Sequence, residues 1–198
     1  MPIRVVLDAT VLANARVRDV ALAFAEDGLY QPYWSDGIIA EADHRLPEHL
    51  ARPTRDYLFA ELDRAFPDAR VNATGERLAK GDFACAPCVI DPRETHVTSV
   101  ALLCHADAVV TADAVTARAL ERSGVEAWTR DAFVTFALDA DPARAQRSLL
   151  RMVRRRWLEP GTEANPSDAD LLVRLAVWAR SALGDNSADL LRGYAAAT

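Results

Sequence analysis

The chain has 198 residues, 51% of them hydrophobic, and a formal net charge of −6, with an isoelectric point near 5.2. That length supports one compact core with a small appended unit. No apolar run approaches the roughly 20 residues that span a bilayer, and the N-terminus lacks a basic region followed by a long apolar stretch, so a cytoplasmic protein without a membrane segment is expected. The acidic balance weighs against general nucleic-acid binding.

In chain order, residues 3–7 are short, apolar and β-branched and predict a buried strand, with Asp8-Ala9-Thr10 as the turn that follows. A helix is expected from about Arg18 to Gly28, with the glycine as its terminator. Leu29–Tyr33 predicts a short strand, and Ser35 is a good N-cap for a helix carrying Ile38, Ile39 and Glu41. Pro53–Phe66 spaces Tyr57, Leu58, Leu62 and Phe66 along one helical face. A strand is expected near Ala69–Val71, followed by loop-rich sequence to residue 90. Asp91-Pro92 opens a helix containing Val97, Val100, Ala101 and Leu102, with the proline in the first turn, where it is tolerated. Ala108–Thr111 predicts a strand, Ala114–Ser123 a helix ended by Gly124, and Val125–Trp128 a last strand. Strands alternating with helices imply a parallel sheet covered on both faces. Beyond that the pattern is helical only: Asp131–Leu138, Pro142–Trp157 and Ser167–Leu183, with the Pro/Gly-containing stretch 159–166 as a hinge. The expected organisation is an α/β unit over residues 1–140 and a helical extension over 141–198.

Two of the predicted strands run into aspartates, Asp8 and Asp113. In open α/β sheets chemistry gathers outside the carboxyl ends of parallel strands. Carboxylates delivered there suit a divalent cation such as Mg²⁺, which takes oxygen ligands. Glu41 and the Asp91/Glu94 pair complete a candidate cluster. Each acid also has an ordinary structural reading. Asp8 and Asp91 suit turns and helix caps, Glu94 suits the first turn of a helix, and Glu41 alone reads as a solvated helix residue. Only the combination points to a site.

Several segments together resemble the PIN-domain ribonuclease family. Val5-Val6-Leu7-Asp8-Ala9-Thr10-Val11-Leu12 is similar to its opening strand, and Trp34-Ser35-Asp36-Gly37-Ile38-Ile39-Ala40-Glu41 to the segment with its second acid. Asp91-Pro92-Arg93-Glu94-Thr95-His96-Val97 resembles its Asp-Pro-Asp-Asp-x-His-Val stretch. Ala106 to Asp113 resembles its strand-Thr-x-Asp/Asn element. The resemblance covers residues 1–140 and is closest to the branch with a helical C-terminal extension, often VapC-type toxins. It implies a three-layer α/β/α fold with a central parallel sheet, and an endoribonuclease dependent on Mg²⁺ or Mn²⁺. It implies Asp8, Glu41, Glu94 and Asp113 as catalytic acids and metal ligands; Asp91, one helical turn before Glu94, is a candidate ligand in its place. The family usually has aspartate where this chain has Glu94. The resemblance also implies a toxin role in a bacterial toxin–antitoxin pair, hence an antitoxin partner. Self-pairing of a helix such as 53–66 makes a homodimer a further expectation.

Phosphodiester hydrolysis needs an activated water and neutralisation of phosphate charge, which one or two such cations supply. Asp8 and Asp113 are expected as direct ligands, with Glu41 and Glu94 as ligands or as orienters of bound water. Thr10 or Thr111 would offer a hydroxyl to a carboxylate or to the phosphate. Arg144, Arg147, Arg151, Arg154 and Arg155 recur at helical steps as a basic stripe. Arg151, Arg154 and Arg155, with Arg16, are the candidate RNA contacts; the competing reading is a solvated face paired with acids of the same protein. Tyr30, Tyr33 and Trp34 are expected in the core rather than stacked on bases, and His96 as a packed or surface helix residue.

The cysteines, three in number, are expected as small core or loop residues rather than as a site. Cys85-Ala86-Pro87-Cys88 is only superficially like a thioredoxin-type pair, and a zinc site needs four ligands where Cys104, His96 and His105 are the only others near in sequence. An odd, small number of cysteines fits a reducing compartment. Haloacid-dehalogenase-type phosphatases need Asp-x-Asp after the first strand, which Asp8-Ala9-Thr10 lacks. A response-regulator receiver needs a lysine after a late strand, and the chain's single lysine, Lys80, lies elsewhere. The reading that remains beside a nuclease is a catalytically weak PIN-like module that binds RNA or a protein.

Overall fold

A computed structural model describes residues 2–71, 95–158 and 166–198. Over them the chain is an α/β protein with a four-stranded, all-parallel sheet of order β2-β1-β3-β4. The strands are β1 (Ile3–Leu7), β2 (Tyr30–Tyr33), β3 (Ala108–Val110) and β4 (Glu126–Trp128). Ten helices accompany them among the described residues: α1 (Ala9–Leu12), α2 (Ala15–Glu26), α3 (Asp36–Arg45), α4 (Arg52–Ala65), α5 (Thr95–Leu103), α6 (Ala114–Arg122), α7 (Arg130–Ala140), α8 (Pro142–Arg156), α9 (Asp168–Ala182) and α10 (Asp185–Ala197).

The described residues fall into two compact units, Met1–Ala15 with Tyr30–Trp128, and Arg16–Leu29 with Thr129–Thr198. The first holds the sheet. Its central strands β1 and β3 are continuous apolar runs, as parallel strands covered on both faces must be, and Val5, Val6, Leu7, Val109 and Val110 are fully buried. Burying each such side chain contributes about 1.5–3 kcal/mol. Pro32 lacks an amide proton and is tolerated because β2 lies at the sheet edge, pairing with β1 through Val5↔Pro32 on one side. The strand expected near Ala69–Val71 is an isolated parallel bridge, Trp34↔Arg70. Trp34 and Tyr30 are buried, as expected of core residues.

The second unit is helical. Val20 and Phe24 of α2 are buried, as are Phe133, Leu138, Leu149, Leu171, Leu172 and Leu191, and Phe24 meets Phe133 edge-on at 6.3 Å between centroids. Trp157 donates to Asp19 at 3.0 Å and packs against Trp178 at 4.9 Å.

Local signals account for most boundaries. Ser35 caps α3 by accepting from the Ile38 amide, and Ser167 caps α9 through Asp170. Gly28 and Gly124 adopt the left-handed conformation just beyond α2 and α6, the conformation that favours glycine at a helix C-terminus. Two helices lie outside the sequence expectation. The one-turn α1 is too short to show a period where a turn was expected. The small residues of α10 give no helical stripe of large apolar side chains. No helix among the described residues is long and apolar enough to cross a membrane.

Candidate functional site

The sheet order creates a switch point between β1 and β3. β1 connects outward to β2 on one side, and β3 to β4 on the other, so the carboxyl ends of the two middle strands open side by side. Leu7 pairs with Val110 there, and the next residue on each strand is polar: Asp8 and Thr111.

Asp8 caps α1. Its Oδ1 accepts from the Ala9 amide at 2.6 Å, while Oδ2 accepts from the Thr111 hydroxyl at 2.7 Å and the Thr10 hydroxyl at 3.2 Å. The two threonines also tie the loops together, because Thr111 Oγ1 accepts from the Asp113 amide at 3.0 Å and Thr10 Oγ1 from the Ala112 amide at 3.3 Å. Asp8 is only 3% exposed. Burial raises its pKa, the nearby charge of Glu41 adds to the rise, and the hydrogen bonds from Thr111, Ala9 and Thr10 oppose it. Its donors are all neutral, and no cation pairs with it among the described residues.

Asp113 caps α6, accepting from the Val115 amide at 3.1 Å and the Thr116 hydroxyl at 2.8 Å. The Val115 amide is the first cause holding its carboxyl below the ordinary range, and the Arg45 guanidinium contributes. Both strand-end aspartates therefore fill the cap role open to them in the sequence while standing at the switch point.

Glu41, on α3, has both oxygens engaged. Arg45, one turn later, brings Nε and Nη2 to Oε1 at 2.9 and 2.6 Å. His96 of α5 places Nε2 3.2 Å from Oε2, a hydrogen bond when that nitrogen carries its proton. The His96 ring also fits closely over Gly37, where an added Cβ would lie 3.3 Å away. Arg45 was not singled out from the sequence, and His96, expected as a packed or surface helix residue, is found on Glu41. The signal for Arg45 was the i, i+4 spacing from Glu41; His96 follows the family-like Asp-Pro-Arg-Glu stretch, but only folding shows its contact.

Asp91, Glu94, Cys85 and Cys88 lie outside the described residues. The remaining candidates belong to the helical unit. Arg151 pairs with Asp27 at 2.6 Å, Arg154 with Asp168, Arg144 with Asp141 at 3.1 Å, and Arg156 with Asp19 at 3.0 Å. Arg16 stacks over Trp157 at 5.2 Å. Much of the basic stripe on α8 is thus neutralised by acids of its own unit, while Arg155 is exposed. Thr111, offered as an RNA contact, is buried and directs its hydroxyl to Asp8.

The donors that the described acids present are oxygens, the ligands that Mg²⁺ and Mn²⁺ prefer. Among the described residues no three His, Cys, Asp or Glu side chains group closely enough to hold a metal by themselves. Mg²⁺ sites commonly use one or two carboxylates and retain several waters. Asp8 is such a carboxylate, buried among neutral donors, with the charge of Glu41 within Coulomb range.

No protein-family model, no curated protein and no solved structure matches this chain.

Proposed function

We propose that the chain is an Mg²⁺- or Mn²⁺-dependent endoribonuclease with a PIN-like three-layer α/β/α fold, acting as the toxin of a bacterial type II toxin–antitoxin pair. One observation carries the nuclease reading: Asp8 and Asp113 at the carboxyl ends of β1 and β3, on the two sides of the switch point and joined through Thr111. Asp8 and Asp113, with Glu41, are the residues that would hold the cation; Glu94 is proposed beside them from the resemblance, and Asp91 as its substitute. The cation's contribution is to offset phosphate charge and to make a bound water nucleophilic at neutral pH. Thr111 and Thr10 keep the Asp8 carboxylate oriented. Asp113, already favoured in its ionised form, stays a competent ligand in mildly acidic solution. The toxin role and an antitoxin partner rest on the family resemblance, and a homodimer on self-pairing of a helix such as 53–66.

The test is cleavage of a labelled RNA by purified protein, with Mg²⁺ or Mn²⁺ against EDTA, beside Asp8→Ala. Cutting that needs the metal and falls at least about a hundredfold in the variant supports the reading. A specific observation favours a second reading, a binding module with weak catalysis: both Glu41 oxygens are already occupied by Arg45 and His96. A folded wild type that cuts no RNA pool and takes up no Mn²⁺ in calorimetry establishes that alternative.

A further inference from the structure

Several described arginines of the sheet-bearing unit are committed to partners away from the candidate acids. Arg52 pairs with Asp43 and Asp56, Arg70 with Asp36 and Asp63, and Arg55 with Asp43 and backbone carbonyls. Arg4 donates to the Cys104 carbonyl. Arg45 differs, because its ion-pair partner is Glu41, one of the candidate site acids. Its side chain is about half exposed. It also feels the charges of Asp8 and Asp113, after that of Glu41.

An exposed i, i+4 pair contributes little to stability, so Glu41 is a partner that Arg45 can leave at small cost. The planar, permanently charged fork that grips a carboxylate fits a phosphate equally well. Beside three acids it is also the group that offsets their repulsion of a polyanion. We propose that Arg45 is the phosphate-contacting residue of this site, its guanidinium exchanging the Glu41 carboxylate for a non-bridging phosphate oxygen of the bound RNA strand. Glu41 is then the gate. While it holds Arg45 the strand is not gripped, and once Glu41 turns to another partner the fork is released to the phosphate. This assignment rests on the nuclease reading for its substrate class, but its test needs neither metal nor cleavage.

The experiment is a double-mutant cycle on binding of a short fluorescein-labelled single-stranded RNA, read by anisotropy in EDTA across a salt series. The proteins are wild type, Glu41→Gln, Arg45→Ala and the double variant. Glu41→Gln is expected to tighten binding about tenfold, the scale of one charge-assisted phosphate contact, and to steepen the salt dependence by about one phosphate contact. Both gains should disappear in the double variant. If Glu41→Gln tightens binding equally with and without Arg45, the gain is only the loss of a repelling carboxylate and the assignment is overturned. It is also overturned if Glu41→Gln binds no more RNA than wild type. Arg45→Lys separates fork from charge: about the full gain in Glu41→Gln/Arg45→Lys overturns the bidentate contact, whereas a partial gain supports it. Thermal melts confirm that each variant is folded. Metal-dependent cleavage by the wild type decides the nuclease reading separately, so the two can fail independently.

Discussion

Asp8 is the residue on which the site turns. A carboxylate buried to this degree is costly when no cation faces it, and three neutral donors only partly offset the cost. Its folded pKa lies above the ordinary 3.8. The native state therefore holds the proton more tightly than the unfolded chain. The stability this lends is complete below pH about 3.8 and is lost as pH rises through the folded value. At neutral pH the ionised group works against folding. Asp8→Asn keeps the shape and removes the charge, so it should be more stable than wild type at pH 7 by about 0.5–2 kcal/mol while losing the metal-dependent cleavage proposed above. Urea unfolding at pH 7 and at pH 4 checks this, with the difference expected to shrink at the lower pH. Asp8 was legible in the sequence as an acid ending an apolar strand. Its two threonine donors were legible only as residue types, because Thr111 lies 103 positions away.

At the scale of elements, the join between α7 and α10 shows how one acid organises a helix start. Asp131, in the first turn of α7, accepts from the Ser187 amide at 2.8 Å, the Ser187 hydroxyl at 2.6 Å and the Asn186 side chain at 2.9 Å. It supplies the anion that the first turn of α10 favours, where Gly184 offers no capping side chain. Burial pushes its pKa up, but the hydrogen bonds from Ser187 and Asn186 outweigh that and leave it lowered. Its contribution is therefore present above pH about 3.8 and fades as pH falls through the lower folded value. Asp131→Asn should cost about 1–3 kcal/mol at pH 7, and the melting gap to wild type should narrow in acid below that pH. Gly184 is required for a different reason: an added Cβ would lie 2.4 Å from the Asp131 Cγ. Gly184→Ala should destabilise the helical unit by about 1–3 kcal/mol through overpacking, measured by chemical denaturation. Neither α10 nor its anchor was visible beforehand. Ser35, Gly28 and Gly124 were, because caps and left-handed glycines act within a few residues.

For the whole molecule the charge balance sets the context. With a net charge of −6 and Asp8 and Asp113 following the neighbouring strands β1 and β3, the proposed site predicts that the protein gains stability from a bound divalent cation. Mn²⁺ at a hundredfold excess over its Kd should add about 2.7 kcal/mol and raise the melting temperature by several degrees. Asp8→Asn should show almost no such shift, and EDTA should reverse it in the wild type. A wild type that melts identically with and without Mn²⁺ contradicts the metal site. The arginines of α8 illustrate how far a pattern can be read. Their spacing predicted one basic stripe, but Asp27 and Asp168 hold Arg151 and Arg154 of it, pairings that no helical periodicity encodes.

By itself the sequence determined the strands and most helices, the parallel α/β class and the placement of acids at strand ends. These follow from apolar runs, periodicity and capping chemistry that operate over a turn or a strand. The tertiary structure alone decided that β1 and β3 are neighbours, that Thr111 serves Asp8, and that Arg45 and His96 share Glu41. Those outcomes depend on which strand pairs with which and on where rigid helices set down their side chains, and such contacts exist only once distant segments have been packed together.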